Sequence, residues 1–224
     1  MSIIIVYNRP WCKLIAKNLK KKTNHEIFEI TEKEELTLKA IQVINPKFIF
    51  FPHWSQIIKK NIHENFNCIV FHMTDLPYGR GGSPLQNLIV RGHKKTKICA
   101  IKCIEKLDAG PIFLKKSLSL EGSAEEIFLR ENRIIEDMIV EILNKNPKPK
   151  DQKGEIVKFE RRVPEDGNLK NAKSLDEIFD YIRMLDARDY PRSFIEFGKY
   201  IIEFSRATRK VDTVHASVKI SKRV

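Results

Sequence analysis

Along the first third of the chain, apolar positions follow two rhythms in turn. The run SIIIVY at 2–7 is short, continuous and rich in β-branched residues, which predicts a buried strand. WCKLIAKNLKKK at 11–22 carries Trp11, Leu14 and Ile15 at helical spacing, so a helix should follow. EIFEI at 26–30 predicts a second strand, and residues 33–43 a helix closed off by Asn45-Pro46. KFIFF at 47–51 and NCIVF at 67–71 predict two more buried strands, with the helix-like stretch QIIKKNI between them. Strands alternating with helices at this spacing imply a mostly parallel sheet with crossover connections.

The rhythm breaks at VFHMTDLPYGRGGSPLQNLIVRG, residues 70–92, where a strand ends on His72 and a crowded Gly/Pro loop follows. PLQNLIV then predicts a helix with Pro84 in its first turn. KICAIKCI at 97–104 and PIFLKKSLSL at 111–120 read as paired strands joined by EKLDAG. Residues 123–144 read as a long amphipathic helix, with Ile127, Leu129, Ile134, Ile135, Met138, Ile139 and Ile142 towards the core. NKNPKPKDQKGE reads as a polar linker. In the last third, SLDEIFDYIRML has Ser174 as N-cap and Glu177 three residues on, a capping-box pattern. Hairpin-like strands follow, and Val214, Ala216, Val218 and Ile220 fall on one face at period two, as in a half-buried strand. The expected architecture is an α/β core over 1–145 with a small helix and β-hairpin extension, 146–224, packed on it. No GxGxxG follows the first strand, so the dinucleotide fingerprint is absent.

Composition narrows the classes. Hydrophobic content of 42% and charged content of 31% are those of a globular protein. The apolar runs are too short to span a bilayer, and the amino terminus has no basic n-region, so a cytoplasmic protein without a membrane partner is expected. Four cysteines, Cys12, Cys68, Cys99 and Cys103, form no CxxC pair, which argues for buried thiols and against a metal site. Forty-one Lys and Arg against 29 acids give a formal charge of +12. That charge suits nucleic acid, a membrane surface or an acidic small substrate, but it equally describes a lysine-rich surface. The lysines are spread along the whole chain without interleaved aromatics, so a nucleic-acid partner is not expected.

Ligands of open α/β sheets sit beyond the carboxyl ends of the strands. His72 ends such a strand, and Asp108 lies in a loop that one helix and one strand could bring back beside it. A carboxylate beside a histidine fixes its orientation and tautomer, an arrangement suited to proton transfer in acyl or amine chemistry. On spacing alone such a pair is more often structural.

The surrounding residues add to this. His72, Leu76-Pro77, Arg80-Gly81 and Leu107-Asp108-Ala109-Gly110 closely resemble the motifs of the formyltransferase family that uses 10-formyltetrahydrofolate. That family includes methionyl-tRNA formyltransferase, glycinamide ribonucleotide transformylase and the nucleotide-sugar N-formyltransferases. The resemblance covers roughly residues 47–140 and implies a Rossmann-like formyltransferase core with no metal. One position departs: the family's Asn, two residues before the His, is Val70 here. Loss of one oxyanion donor typically costs about two to three powers of ten in rate.

The wording TDLPYGRGGSPLQNL further resembles the branch acting on nucleotide-linked 4-amino sugars of the pseudaminic-acid route, which implies a UDP-linked amino sugar as partner. Methionyl-tRNA is the alternative acceptor. Against it stand the absent Ser-Leu-Leu-Pro loop and a chain that is expected to end too soon for that enzyme's further C-terminal domain. A catalytically weakened folate- or nucleotide-binding homologue is the other alternative. The resemblance casts His72 and Asp108 as catalytic, and His53, Trp54, Cys103, Leu107 and Gly110 as the wall of the folate pocket. Thr74, Tyr78, Arg80, Gly81, Arg161 and Tyr190 would face the acceptor. His53 and Trp54 fit a core or rim place equally well, and Arg80 and Arg161 fit a turn-tying or surface role. The C-terminal strands offer elements for a homodimer interface.

Overall fold

The structure is a computed structural model and describes residues 1–223. In chain order the elements are β1 (Ser2–Val6), α1 (Lys13–Lys22), β2 (Glu26–Ile30), α2 (Leu38–Ile44), β3 (Phe48–Phe51), α3 (Lys60–His63), β4 (Cys68–His72) and β5 (Tyr78–Gly81). There follow α4 (Pro84–Val90), β6 (Lys95–Lys102), β7 (Ile112–Ser119), α5 (Ala124–Lys145), β8 (Val157–Phe159), α6 (Leu175–Arg183), β9 (Ser193–Phe197), β10 (Tyr200–Arg209) and β11 (Val214–Lys222). The chain divides into two compact units. The first holds residues 1–81, 96–118 and 129–158, and the second holds 82–95, 119–128 and 159–224.

The first unit is built on a six-stranded sheet of order β2-β1-β3-β4-β6-β7. β2, β1, β3 and β4 pair in parallel, and β6 runs antiparallel to β4. Ile3, Ile4, Ile5, Ile49, Phe50 and Ile69 are fully buried. Their unbroken apolar runs are what strands covered on both faces require. The pairings Phe51↔Val70 and His72↔Cys99 set the end of β3 and a stretch of β6 on either side of the end of β4. The carboxyl ends of β1, β3 and β4 therefore line one edge of the sheet.

Several expectations shift in detail. α1 is buried through Ile15, Ala16 and Leu19, while Leu14 faces outward. The helix expected over 33–43 is split into a 3-10 turn at Lys33–Glu35 and then α2, whose N-cap Thr37 accepts a hydrogen bond from the Ala40 amide. α2 ends on left-handed Asn45, directly before Pro46. The stretch expected to be helical from 56 to 62 is helical only at Lys60–His63, because Lys59 is extended. Ile58 and Ile62 still reach the core, but Ile57 does not. In α5, Ile127, Ile135, Met138, Ile139 and Ile142 are buried as expected. Leu129 is exposed: two residues turn it about 200° from Ile127. The buried side also contains three polar residues that periodicity does not announce, Glu131, Asn132 and Glu136.

The second unit joins α4 and α6 to the antiparallel sheet β11-β10-β9. Ser174 caps α6 as expected, its hydroxyl accepting from the Glu177 amide at 3.1 Å. The Arg183 guanidinium is buried and donates to the Leu120 and Gly122 carbonyls, tying α6 to 119–122. β11 is a strand, but Val218 and Ile220 are more than half exposed, so its expected half-buried face extends only over Val214 and Ala216.

Candidate active site

His72 is the last residue of β4 and is nearly buried. Its Nε2 lies 2.7 Å from the Gly79 carbonyl, which can only accept, so the proton at Nε2 is fixed by the fold. Its Nδ1 faces Asp108 Oδ2 at 3.6 Å, an ion-pair distance rather than a hydrogen bond. The same Oδ2 accepts from the Gly81 amide at 3.0 Å. Asp108 thus comes back beside His72 as the sequence predicts, and one backbone donor holds it there.

Local backbone chemistry explains this convergence. Gly79 and Gly81 have φ of 78° and 114°, a region L side chains rarely adopt, which lets the chain turn back with its amide towards Asp108. Asp108 itself has φ 50°. Gly110 packs so tightly on β6 that a Cβ there would lie 1.7 Å from the Lys102 carbonyl oxygen. Only a residue without a Cβ fits between the loop and the strand there.

The remaining first-unit residues singled out from sequence are placed as follows. Thr74 is fully buried and its hydroxyl donates to the Gly79 carbonyl at 3.3 Å, so it serves the turn from inside. Tyr78 and Gly81 open and close β5. The Arg80 guanidinium donates from Nε and Nη2 to Gln152 Oε1, at 3.1 and 2.7 Å. Leu107 is 70% exposed at the tip of the acid loop. Cys103 is half-buried, and its thiol is pushed up to about 11 by burial and by the Asp108 charge. Asp75, beside the motif, is held by Lys97 and Lys115. Burial alone would raise its carboxyl, but hydrogen bonds from both lysines keep it below the usual range. Val70, where the resemblance expects Asn, packs against the cluster of Leu76, Cys99 and Ile101 and offers no donor.

Beyond β3, Pro52 to Gln56 form an irregular segment in which His53 adopts φ 51°. His53 Nε2 lies 3.2 Å from Glu131 Oε2 of α5. Burial lowers His53 to about 4 and raises Glu131 to about 8, so both are neutral near pH 7. Sequence reasoning missed Glu131, because a carboxylate inside an apolar helix stripe carries no periodic signal. Three buried polar atoms here, Trp54 Nε1, Gln56 Oε1 and Asn8 Oδ1, have no hydrogen-bond partner among the described residues. Buried polar groups are nearly always satisfied, so one donor and two acceptors left open at the ends of β1 and β3 fit a polar heteroaromatic ligand. His53 and Trp54, expected from the sequence in the folate wall, both belong to this segment.

Arg161 and Tyr190 belong to the second unit. Arg161 lies against Gly82, where a Cβ would come 2.7 Å from its Cα, and the Tyr190 ring sits tilted by 35° against Phe128 with centroids 5.4 Å apart. Among the described residues no helix is long and apolar enough to cross a membrane.

The sheet thus presents, beyond β4, a histidine and an aspartate placed for proton transfer on an α/β scaffold. The chain is 52% identical to methionyl-tRNA formyltransferase from Clostridium thermocellum, with a TM-score of 0.96 over 99% of both chains. It is 31% identical over 159 residues to methionyl-tRNA formyltransferase of Thermodesulfovibrio yellowstonii, covering 67% of this chain and 52% of that one. A model of the methionyl-tRNA formyltransferase C-terminal domain matches residues 164–221, which corrects the expectation that the chain ends too soon to hold that family's C-terminal domain. A sugar N-formyltransferase from Shewanella shares the fold, with a TM-score of 0.71 at 15% identity, covering 95% of this chain and 99% of that one. The chain belongs to the methionyl-tRNA formyltransferase-like family of folate-dependent formyltransferases. It spans between 52% and 62% of the length of the first curated relatives it matches.

Proposed function

We propose that the chain transfers the formyl group of 10-formyltetrahydrofolate to a primary amine, with the amino group of methionyl-tRNA as acceptor. The observation that carries the reaction is the His72–Asp108 pair, 3.6 Å apart at the carboxyl end of β4. When bound, 10-formyltetrahydrofolate supplies the activated formyl carbon. His53 and Trp54, with Gln56, would hold its pterin. Formyl transfer requires the acceptor amine to lose one proton and the leaving nitrogen to gain one. His72 Nδ1 takes up a proton on the side facing Asp108, while Nε2–H stays on the Gly79 carbonyl. Asp108 balances the charge of the imidazolium so formed. With Val70 apolar, the site has no side-chain donor where the family places its amide, and the Nε2–H of His72 remains on the Gly79 carbonyl.

The acceptor assignment is supported by the 52% identity to a protein described as methionyl-tRNA formyltransferase and by the C-terminal match over 164–221. The formal charge of +12 suits a polyanionic acceptor. We assign the transfer chemistry to the first unit and acceptor recognition to the second, with Arg161 and Tyr190 among the recognising residues. The second reading, a nucleotide-linked 4-amino sugar, is favoured by the TDLPYGRGGSPLQNL wording alone. The test is tetrahydrofolate release with methionyl-tRNA and with UDP- and dTDP-linked 4-amino sugars, wild type beside His72→Ala. Turnover confined to methionyl-tRNA and lost in His72→Ala is expected. Turnover confined to a sugar would overturn the acceptor, and transfer surviving in His72→Ala would overturn the mechanism.

A further inference from the structure

We infer that Gln152, from the stretch that reads as a featureless linker, is the positioning residue of the acid loop. The inference rests on the transfer chemistry proposed above for His72 and Asp108. Residues 150–154 are not a free tether. Lys150 bridges Ile112 through two backbone hydrogen bonds of 2.7 and 2.9 Å, and Gly154 lies against the ring of Pro77. Between these anchors the Gln152 carboxamide enters the site.

Its four polar contacts use the whole group. Nε2 donates to the Asp108 carbonyl at 2.8 Å and to the Gly110 carbonyl at 2.9 Å. Oε1 accepts from Arg80 Nε at 3.1 Å and Nη2 at 2.7 Å. Two N–H groups meet two carbonyls and two lone pairs meet one guanidinium, so the amide is saturated. Its orientation is fixed by chemistry: carbonyls cannot donate and a guanidinium cannot accept. No other side chain of this length serves. A Glu would set a carboxylate against two carbonyl oxygens, a Lys would set a cation against Arg80, and an Asn is one carbon short.

The consequence for the site is direct. Asp108 has left-handed backbone, and its carboxylate is fixed from one side by the Gly81 amide. Gln152 fixes the loop from the other side by holding the carbonyls on both sides of Ala109. The same amide aligns Arg80, which neighbours Gly81 in β5, so both halves of the clamp on Asp108 pass through one side chain. Gln152 does not touch His72; it acts through Asp108. Because it is neutral, it also leaves the charge of Arg80 in place beside the site.

The test follows the His72 ring by NMR in full-length wild type, Gln152→Ala, Gln152→Glu, Asp108→Asn and the Gln152→Ala/Asp108→Asn double variant. This reads the pair without depending on the acceptor. At a fixed pH, Asp108→Asn should displace the His72 ring resonances, Gln152→Ala should displace them in the same direction, and the double variant should match Asp108→Asn alone. In transfer assays with the responsive acceptor, Gln152→Ala should lower kcat by roughly tenfold to a hundredfold with KM little changed. Gln152→Glu should not rescue it. His72 ring resonances displaced by Asp108→Asn but untouched by Gln152→Ala would overturn the inference. So would no response to either variant, or additive effects in the double variant. If no acceptor is turned over by wild type while the NMR pattern holds, the functional reading fails and the positioning role stands.

Discussion

The tightest point in the site is Gly110, and replacing it with Ala tests the geometry without touching a chemical group. The added Cβ would sit 1.7 Å from the Lys102 carbonyl oxygen and 2.9 Å from its carbon, where ordinary contact begins at 3.4 Å. The two must therefore part by about 1.7 Å along that line. Lys102 ends β6, paired to Ile69 in the centre of the sheet, so it is the loop that yields. The loop then loses the Gly110 carbonyl contact to Gln152 and the Lys102 amide bond to the Pro111 carbonyl, both 2.9 Å. Asp108, two residues away, moves with it. A misplacement of about 1 Å in a catalytic group costs about a hundredfold, so kcat/KM for formyl transfer should fall at least that far. Overpacking of this kind costs about 1–3 kcal/mol of stability, read as a lower Tm. Steady-state tetrahydrofolate release and a thermal melt, run on the same preparation, measure both. A variant with unchanged Tm and kcat/KM within about threefold of wild type would refute the claim that this loop is held rigidly against β6.

Other substitutions probe other links. Asp108→Asn keeps an oxygen for the Gly81 amide but removes the charge facing His72, so kcat should fall by about 10²–10⁴ with the fold intact by circular dichroism; a near-normal kcat would remove Asp108 from the chemistry. Glu131→Gln should alter stability in a pH-dependent way. The native carboxyl keeps its proton to about 8 while the unfolded one releases it near 4.5, so wild-type stability is present at low pH and lost as pH rises through that window. The variant should gain on wild type by a few kcal/mol, to order of magnitude, between pH 5 and 8 in urea unfolding; parallel pH slopes would contradict the buried neutral acid. His53 acts in the opposite sense, since its lowered value removes stability as pH falls from 6.5 towards 4. Ser174→Ala removes the α6 N-cap and should cost about 1 kcal/mol in chemical denaturation; no change would mean that the hydroxyl adds nothing to the cap.

What could be read from sequence follows from which forces are local. Strands such as 2–7 and 47–51 were legible because a sheet covered on both faces demands unbroken β-branched or aromatic runs, and little else produces them. The His72 and Asp108 positions were legible because the motifs around them, Leu76-Pro77, Arg80-Gly81 and Leu107-Asp108-Ala109-Gly110, resemble those of the formyltransferase family; spacing alone does not single the pair out. Leu129 misled because a residue of core type was counted without its angular position. The Val218 and Ile220 face misled because alternation reports a strand but not whether anything packs on it. Glu131 and Gln152 could not be found at all. Their roles come from partners 78 and 44 residues away in sequence, at His53 and Asp108, and no local pattern encodes such a partner. The acceptor is not legible in the same way. The loop wording pointed to a sugar, whereas the likeness to methionyl-tRNA formyltransferases is spread along the whole chain.

The order in which the chain is made gives the tie at Gln152 another meaning. Every strand of the six-stranded sheet has been synthesised by Ser119, but the amide that braces the acid loop emerges only 33 residues later, at 152. A nascent chain therefore owns its histidine and its aspartate well before it can hold them in register. The site closes late in synthesis, once α5 has been built and the strand of chain beyond it has returned to the sheet edge.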